Sequence, residues 1–341
     1  MSSVAHPGAG GIAGHGVGSI AVLGAGAWGT ALAIHAARLG HPTLLWARDP
    51  ARAAALAAAG ENARLLPGAR FPPGLRVTAD AGEAAQADLA LLAVPMQPLR
   101  AVLAGLPAAL PPLLLCCKGL EAGTALLPLE VLALARPGHR AGVLSGPNFA
   151  HEVAAGLPAA SVVASADAAL RGAAQALLSG GRLRLYASAD TVGVQLGGAA
   201  KNVLAIAAGV ATGAGFGENA RAALITRGLA ELSRLVVGLG GEAATASGLS
   251  GLGDLLLTAT GPASRNTSLG LALGRGLTLA EALAGREGVT EGVATAPALL
   301  ARADATGMEL PICRIVAELL AGRLDATGAL HALMDRPPRE E

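Results

Sequence analysis

Between a short apolar run, Ser19-Ile20-Ala21-Val22-Leu23, and a helix-length stretch, Thr30 to Leu39, stands Gly24-Ala25-Gly26-Ala27-Trp28-Gly29. A second apolar run, Thr43-Leu44-Leu45-Trp46, follows after Gly40. Strand, G-x-G-x-x-G turn, helix and strand in that order predict a βαβ unit that binds a dinucleotide. Gly24 permits the tight turn, Gly26 lets the backbone approach a pyrophosphate, and Gly29 lets the helix pack close to the strand. The helix start offers free N–H groups and a partial positive charge to the phosphates. In a chain with 48 glycines the turn alone would carry little, and its flanks make it specific.

The end of the second run selects the dinucleotide. An acidic residue there would hold a ribose 2′-OH, whereas Arg accommodates a 2′-phosphate. The chain reads Trp46-Ala47-Arg48-Asp49, with Arg52 one turn into the next helix. Arg48 suits a 2′-phosphate, and Asp49 suits the N-cap of a helix opening at Pro50. NADP is therefore expected ahead of NAD.

Strand-like and helix-like stretches keep alternating. Asp88 to Val94 reads as a strand, Met96 to Leu110 as mostly helical, and Leu113 to Cys117 as a strand that delivers Lys118 at its carboxyl end. Arg140 to Leu144, Val162 to Ser165 and Leu183 to Tyr186 complete the set. The alternation predicts an α/β fold with a doubly wound, mostly parallel sheet, whose ligands lie at the carboxyl edge of the strands. From Asp190 onward only helix-length segments follow, so the chain divides into a tail (1–18), a dinucleotide-binding domain (19–189) and a helical domain (190–341). The tail is rich in Gly, Ala, Ser and His and is read as disordered. Its His6 and His15 are too weak a pair to argue for a metal, and none is expected.

Lysine is scarce. The chain holds two, Lys118 and Lys201, against 23 arginines. Lys can release its proton when desolvated and Arg cannot, so the two surviving lysines point to sites that use that property, with chance survival as the alternative. Lys201 lies in Gly197-Gly198-Ala199-Ala200-Lys201-Asn202, inside a long Gly/Ala-rich helix predicted over Thr191 to Val210. A snorkelling side chain is the plain alternative. Asp254, after Gly248 to Gly253, opens an apolar helix and could simply cap it. Ser264 is a candidate N-cap that places Arg265 and Asn266 in a first helical turn. Helix dipole, guanidinium fork, amide and hydroxyl together suit a phosphate, and an ordinary cap with a surface Arg suits the same residues.

Composition removes other classes. Hydrophobic residues make up 52% and mean hydropathy is +0.53, but the longest uncharged apolar run, Ala101 to Cys117, is broken by Pro107, Pro111 and Pro112, so no membrane span is expected. Net charge is +1 and aromatics are 2%, which leaves neither a basic patch nor a stacking platform for nucleic acid. The odd set Cys116, Cys117 and Cys313 points to a reducing compartment. Free Cys is most often a small buried hydrophobe, with a catalytic thiol as the alternative.

Taken together these residues resemble bacterial NAD(P)-dependent sn-glycerol-3-phosphate dehydrogenase. The resemblance rests on Gly24 to Ala33, Lys118-Gly119-Leu120-Glu121, Ser145 to Ala150, Gly193 to Asn202, Asn219 to Glu231, Gly251 to Asp254, Ser264-Arg265-Asn266 and Glu291-Gly292. It implies a Rossmann-type N-terminal domain and an all-helical substrate domain that interconvert sn-glycerol 3-phosphate and dihydroxyacetone phosphate. It implies Lys201 as proton donor or acceptor, with Lys118 and Asp254 beside it. Gly146, Asn148, Ser264, Arg265 and Asn266 would hold substrate together with those three. Gly24, Gly26, Ala27, Trp28, Gly29, Arg48, Lys118, Ala150, Arg265, Val289 and Glu291 would line NAD or NADP. A cytoplasmic homodimer that feeds phospholipid synthesis is implied as well. Ala27 stands where relatives often carry Ser or Asn, and Asn148 where many carry Thr. The rival readings are a dehydrogenase of β-hydroxyacid or ketopantoate type, and a dinucleotide-binding redox sensor with no turnover.

Overall fold

All four residues of the first strand, β1 (Ile20–Leu23), are buried, as expected of a parallel strand covered on both faces. The computed structural model describes residues 18–261, 263–286 and 288–334. The sheet-building half runs β1, α1 (Ala27–Arg38), β2 (Thr43–Trp46), α2 (Pro50–Ala59), β3 (Leu75–Thr78), β4 (Leu89–Leu92), α3 (Leu99–Gly105) and β5 (Leu113–Leu115). It continues through α4 (Pro128–Ala135), β6 (Ala141–Ser145), α5 (Ala150–Ala155), β7 (Ala159–Ala164), α6 (Ala168–Leu178) and β8 (Leu183–Ser188). The eight strands are ordered β3-β2-β1-β4-β5-β6-β7-β8. Every pairing is parallel except β6 with β7. The sheet is thus doubly wound and mostly parallel. Its order reverses between β1 and β4, where such sheets open a crevice for ligands, and the glycine turn leaves β1 there.

The helical half comprises α7 (Thr191–Gly213), α8 (Glu218–Gly238), α9 (Ala243–Ala246), α10 (Asp254–Thr260), α11 (Arg265–Gly274), α12 (Leu279–Leu283), α13 (Glu291–Asp304), α14 (Pro311–Leu320) and α15 (Ala326–Met334). A π-helical turn at Leu249–Gly253 leads into α10. Helix α7 is the axis, with residues 193 to 211 all buried. By length and composition it could cross a membrane, yet its apolar window is 100% buried by the helices around it. Asp190 starts it by accepting the Gly193 N–H at 2.7 Å. Its far half lies directly on α11. A Cβ on Gly209 or Gly213 would run into the Thr267 or Leu271 carbonyl, and one on Gly270 or Gly274 into the Ile206 or Val210 carbonyl. Four glycines therefore bring the two backbones into contact.

Some expected elements are shorter. In place of a helix over Met96 to Leu110 the chain forms only α3. Leu106 is extended (ψ 155°) because the residue before a proline, here Pro107, is pushed out of the helical region. Strand β5 stops at Leu115, so Cys116 and Cys117 lie beyond its end rather than within it. Strand β3 was not expected: it is an edge strand with exposed Arg76 in its centre, and its apolar run is too short to stand out. Of the tail, residues 1–17 with His6 and His15 lie outside the described residues.

Candidate active site

The glycine turn is built for close approach. Gly24 has φ +122°, and a Cβ on it would stand 2.5 Å from the Ala93 carbonyl oxygen. A Cβ on Gly29 would collide with the Gly24 carbonyl. Around Gly26, by contrast, a Cβ would meet nothing within 4 Å. Gly26 is the N-cap of α1 and offers no side chain to its N–H groups. The first-turn donors at Ala27 and Trp28 are left for a ligand that the open space at Gly26 admits, which fits a dinucleotide pyrophosphate. The turn is braced from outside. Arg52 on α2 donates to the Ala25 carbonyl at 2.5 Å, and the Asn62 amide donates to the same oxygen at 3.1 Å and to Thr30 Oγ1 at 2.9 Å. Asp49 is engaged as the α2 N-cap, accepting the Ala51 N–H at 3.0 Å, while Arg48 beside it is exposed. Ala150 opens α5, which packs on α1. Val289 is exposed, and Glu291 opens α13 with Oε1 accepting the Met96 N–H at 3.2 Å. The other Glu291 oxygen is buried without a partner among the described residues, and burial raises the carboxyl above its ordinary pKa.

Two lysines and one aspartate meet at the boundary of the two halves. Lys201, 9% exposed on α7, donates from Nζ to Asp254 Oδ1 at 2.6 Å and to Thr258 Oγ1 at 2.8 Å. Lys118, beyond β5, donates to the other oxygen, Asp254 Oδ2, at 2.5 Å and to the Gly146 carbonyl at 3.0 Å. Asp254 does not cap α10 as the sequence allowed; its carboxylate is turned inward and 1% exposed. Burial pulls the Lys201 amine down, Asp254 pulls it back up and Lys118 pushes it down again, leaving it at about 8. For Asp254, burial raises the carboxyl, but the two ammonium groups outweigh it and hold it below the usual carboxylate range. A buried amine poised near neutrality, with its position fixed by two acceptors, is a competent proton donor and acceptor.

The remaining candidates surround this cluster. Ser264 caps α11, its Oγ accepting the Thr267 N–H at 3.2 Å. The Thr267 hydroxyl donates to the Thr258 carbonyl at 2.5 Å, which ties that cap to the helix carrying Asp254. Arg265 is exposed in the first turn, its guanidinium against Gly288. Asn266 is buried and engaged at both ends: its amide donates to Asn202 Oδ1 at 2.9 Å, and its carbonyl accepts the Gly292 N–H at 3.0 Å. Asn148 donates to the Ala160 carbonyl at 3.0 Å and to Ser161 Oγ at 2.8 Å, and its Oδ1 is buried without a partner among the described residues. Thus Lys118, Gly146, Lys201 and Asp254 are in direct contact, whereas Arg48 stands apart at the end of β2. Sequence reasoning missed Thr258, Asn202 and Asn62. Thr258 was findable, since it sits four residues after Asp254 on one helix face. Burial pushes the Cys116 thiol up to about 12 and also raises Cys117 and Cys313, which disfavours the thiolate that a nucleophile needs.

The family models and the curated relatives point to one family. The model of the NAD-dependent glycerol-3-phosphate dehydrogenase N-terminus matches residues 19–171, and that of the C-terminus matches residues 190–331. A glycerol-3-phosphate dehydrogenase (NAD(P)+) from Methylibium petroleiphilum is 53% identical over 327 residues, covering 94% of this chain and 98% of its own. One of the same description from Gluconobacter oxydans is 51% identical over 325 residues, with the same coverage of 94% and 98%. The crystal structure of glycerol-3-phosphate dehydrogenase from Coxiella burnetii superposes with a TM-score of 0.88 at 38% identity, covering 94% of this chain and 99% of that one.

Proposed function

The chain belongs to the NAD-dependent glycerol-3-phosphate dehydrogenase family, and from that premise we propose that it interconverts sn-glycerol 3-phosphate and dihydroxyacetone phosphate with NAD(P)(H), Lys201 moving the proton. The observation that carries the assignment of Lys201 is its Nζ, buried and held at 2.6 Å from Asp254 and 2.8 Å from Thr258. A nicotinamide dinucleotide supplies or takes the hydride at C2 of the substrate. Lys201 gives a proton to the C2 oxygen when the ketone is reduced and takes it back when the alcohol is oxidised. Asp254 holds the amine in place and keeps it protonated up to about pH 8. Lys118, on the opposite side of Asp254, adds positive charge where the oxyanion develops.

At the other end of the substrate, Arg265 and the N–H groups at the start of α11 receive the phosphate. Asn148 Oδ1 and Gly146 face the carbon chain, and Ser264 and Asn266 shape the pocket through the bonds already described. Gripping the phosphate positions C2, so unphosphorylated glycerol is a poor substrate. Arg48 would donate to the 2′-phosphate of NADP, which favours NADPH as the reductant. Gly24, Gly26, Ala27, Trp28, Gly29 and Ala150 line the dinucleotide on one side, and Val289 and Glu291 on the other. The enzyme acts in the cytoplasm as a homodimer and supplies glycerol 3-phosphate for phospholipid synthesis. The deciding assay follows NADPH and NADH oxidation spectrophotometrically with dihydroxyacetone phosphate. Absence of turnover with both reductants, in protein that binds NADPH, would leave a redox sensor in its place.

A further inference from the structure

The segment that carries Lys118 out of the sheet is held by side chains the reaction does not use. Glu121 is 8% exposed, unusual for a carboxylate on a connecting loop. Arg100 on α3 grips it with both arms, Nε to Oε1 at 2.8 Å and Nη2 to Oε2 at 2.7 Å, and the Thr124 hydroxyl adds a third bond at 2.6 Å. That fork holds the Glu121 carboxyl below its ordinary range, so it stays ionised and engaged. Gln97, just before α3, fastens the residues on either side. Its amide donates to the Leu120 carbonyl at 2.9 Å, and its carbonyl accepts the Ala122 N–H at 3.0 Å.

The segment then folds back on itself, the Glu121 N–H bonding the Leu126 carbonyl and the Ala125 N–H the Glu121 carbonyl, each at 2.9 Å. Ala125 has φ +57°, the one non-glycine among the described residues with positive φ. A left-handed alanine persists only where its surroundings over-determine it. With 40% of the Arg100 side chain exposed, the pair stabilises the fold only modestly, so a fork, an amide clamp and a strained residue on one short loop call for a reason beyond stability. Lys118 supplies it. The lysine starts three residues before Glu121 and must span the boundary between the two halves to meet Asp254.

We infer that the Arg100–Glu121 fork, helped by Gln97, is a positioning device that holds Lys118 on Asp254 and, through that shared carboxylate, governs how readily Lys201 exchanges its proton. The inference rests on the reading of Lys201 as the proton-transferring group. While Lys118 is in place, Asp254 divides its charge between two ammonium groups, and a second cation stands near Lys201. Both effects disfavour the charged amine. The groups that act on Lys201 are Asp254 on α10 and Lys118 beyond β5, with the Thr258 hydroxyl as its remaining partner. If the loop slackens and Lys118 withdraws, Asp254 serves Lys201 alone and the amine keeps its proton to higher pH.

The test measures kcat/KM for dihydroxyacetone phosphate with NADPH from about pH 6 to 10 in the full chain, with melting curves alongside. The set is wild type, Glu121→Ala, Arg100→Ala, their double variant, Arg100→Lys and Lys201→Ala. The alanine variants are expected to lose about 10- to 100-fold in kcat/KM, as for a group misplaced by roughly an ångström. Their profile is expected to turn at least about half a unit higher than the wild type's. The double variant is expected to be no worse than either single one, since both break one interaction. Arg100→Lys keeps the charge and loses the fork; it shifts the profile in the same direction and carries the test if the alanine variants do not fold. A purely structural role would lower melting temperature and leave the turning point where it was. Folded variants with an unmoved turning point overturn the inference. Lys201→Ala separates the two failures: a wild-type profile there removes the reading of Lys201 itself, whereas a profile lost there but unmoved in Glu121→Ala sinks this inference alone.

Discussion

Asp254→Asn keeps the shape of the site and removes its one negative charge. The structure gives the size of the effect. The carboxylate is 1% exposed and stands 2.6 and 2.5 Å from two ammonium nitrogens. Removing one partner of a buried pair costs about 3–5 kcal/mol, because the other charge is left uncompensated. Lys118, with 21% of its side chain exposed, can turn towards solvent, which relieves part of the cost and also takes its repulsion away from Lys201, so the lower figure applies. Lys201 relieves the remainder by giving up its proton. At 1.36 kcal/mol per unit, about 3 kcal/mol corresponds to a fall of roughly two units. From a starting point of about 8 the amine would then titrate near ~6, and at pH 7 only about a tenth of it would be protonated.

On the proposed mechanism the protonated amine serves ketone reduction, so this activity is lost as pH rises through the Lys201 pKa. The assay is kcat/KM for dihydroxyacetone phosphate with NADPH across about pH 5.5 to 9.5. Wild type is expected to fall off above about pH 8. The variant is expected to fall off roughly two units earlier, with activity at pH 7 down about 100- to 1,000-fold once lost positioning is included. A folded Asp254→Asn enzyme whose activity declines at the wild-type pH or above it would refute the reasoning.

Lys201→Ala is expected to cut kcat by about two to four orders of magnitude, the range for losing a general acid, in a steady-state assay at pH 7. Near-normal turnover would exclude it from proton transfer. Arg265→Ala is expected to raise KM for dihydroxyacetone phosphate while KM for NADPH changes far less, and an unchanged substrate KM would contradict the phosphate role. Gly29→Ala and Gly26→Ala separate packing from binding. The first forces a methyl into the Gly24 carbonyl and is expected to destabilise by about 1–3 kcal/mol in a thermal melt. The second meets nothing within 4 Å, so its melt stays normal and its NADPH KM rises. Arg48→Ala is expected to weaken NADPH more than NADH, and equal effects on the two Michaelis constants would rule out a 2′-phosphate contact.

What the sequence disclosed was local. Ile20 to Leu23 and Thr43 to Trp46 read as strands because both of their faces are buried, and periodicity needs nothing more. Asp49 and Ser264 were legible as caps because a cap bonds two or three residues ahead. Strand β3 was hidden because an edge strand keeps a charged residue, Arg76, in its middle. Bonds across long separations were beyond reach. Lys118 lies 136 residues from Asp254 and Lys201 lies 53, so scarcity could single out both lysines without showing that they share one carboxylate. Asn266 read as a ligand for substrate from its place in a first turn. That its amide is already held by Asn202 and Gly292, 64 and 26 residues away, depended on how three helices meet.

The bare contact between α7 and α11 has an outcome for how this enzyme can change over time. Side-chain spacers drift: a leucine becomes a methionine, and two helices part by a fraction of an ångström. Where peptide planes abut through Gly209, Gly213, Gly270 and Gly274, there is no spacer to exchange, and every mutation can only wedge the helices apart. The interval from Lys201 to the start of α11, where the phosphate is proposed to bind, is therefore a gauge cut into the main chain. The surrounding core is free to vary in composition while the length of molecule the enzyme measures stays the same.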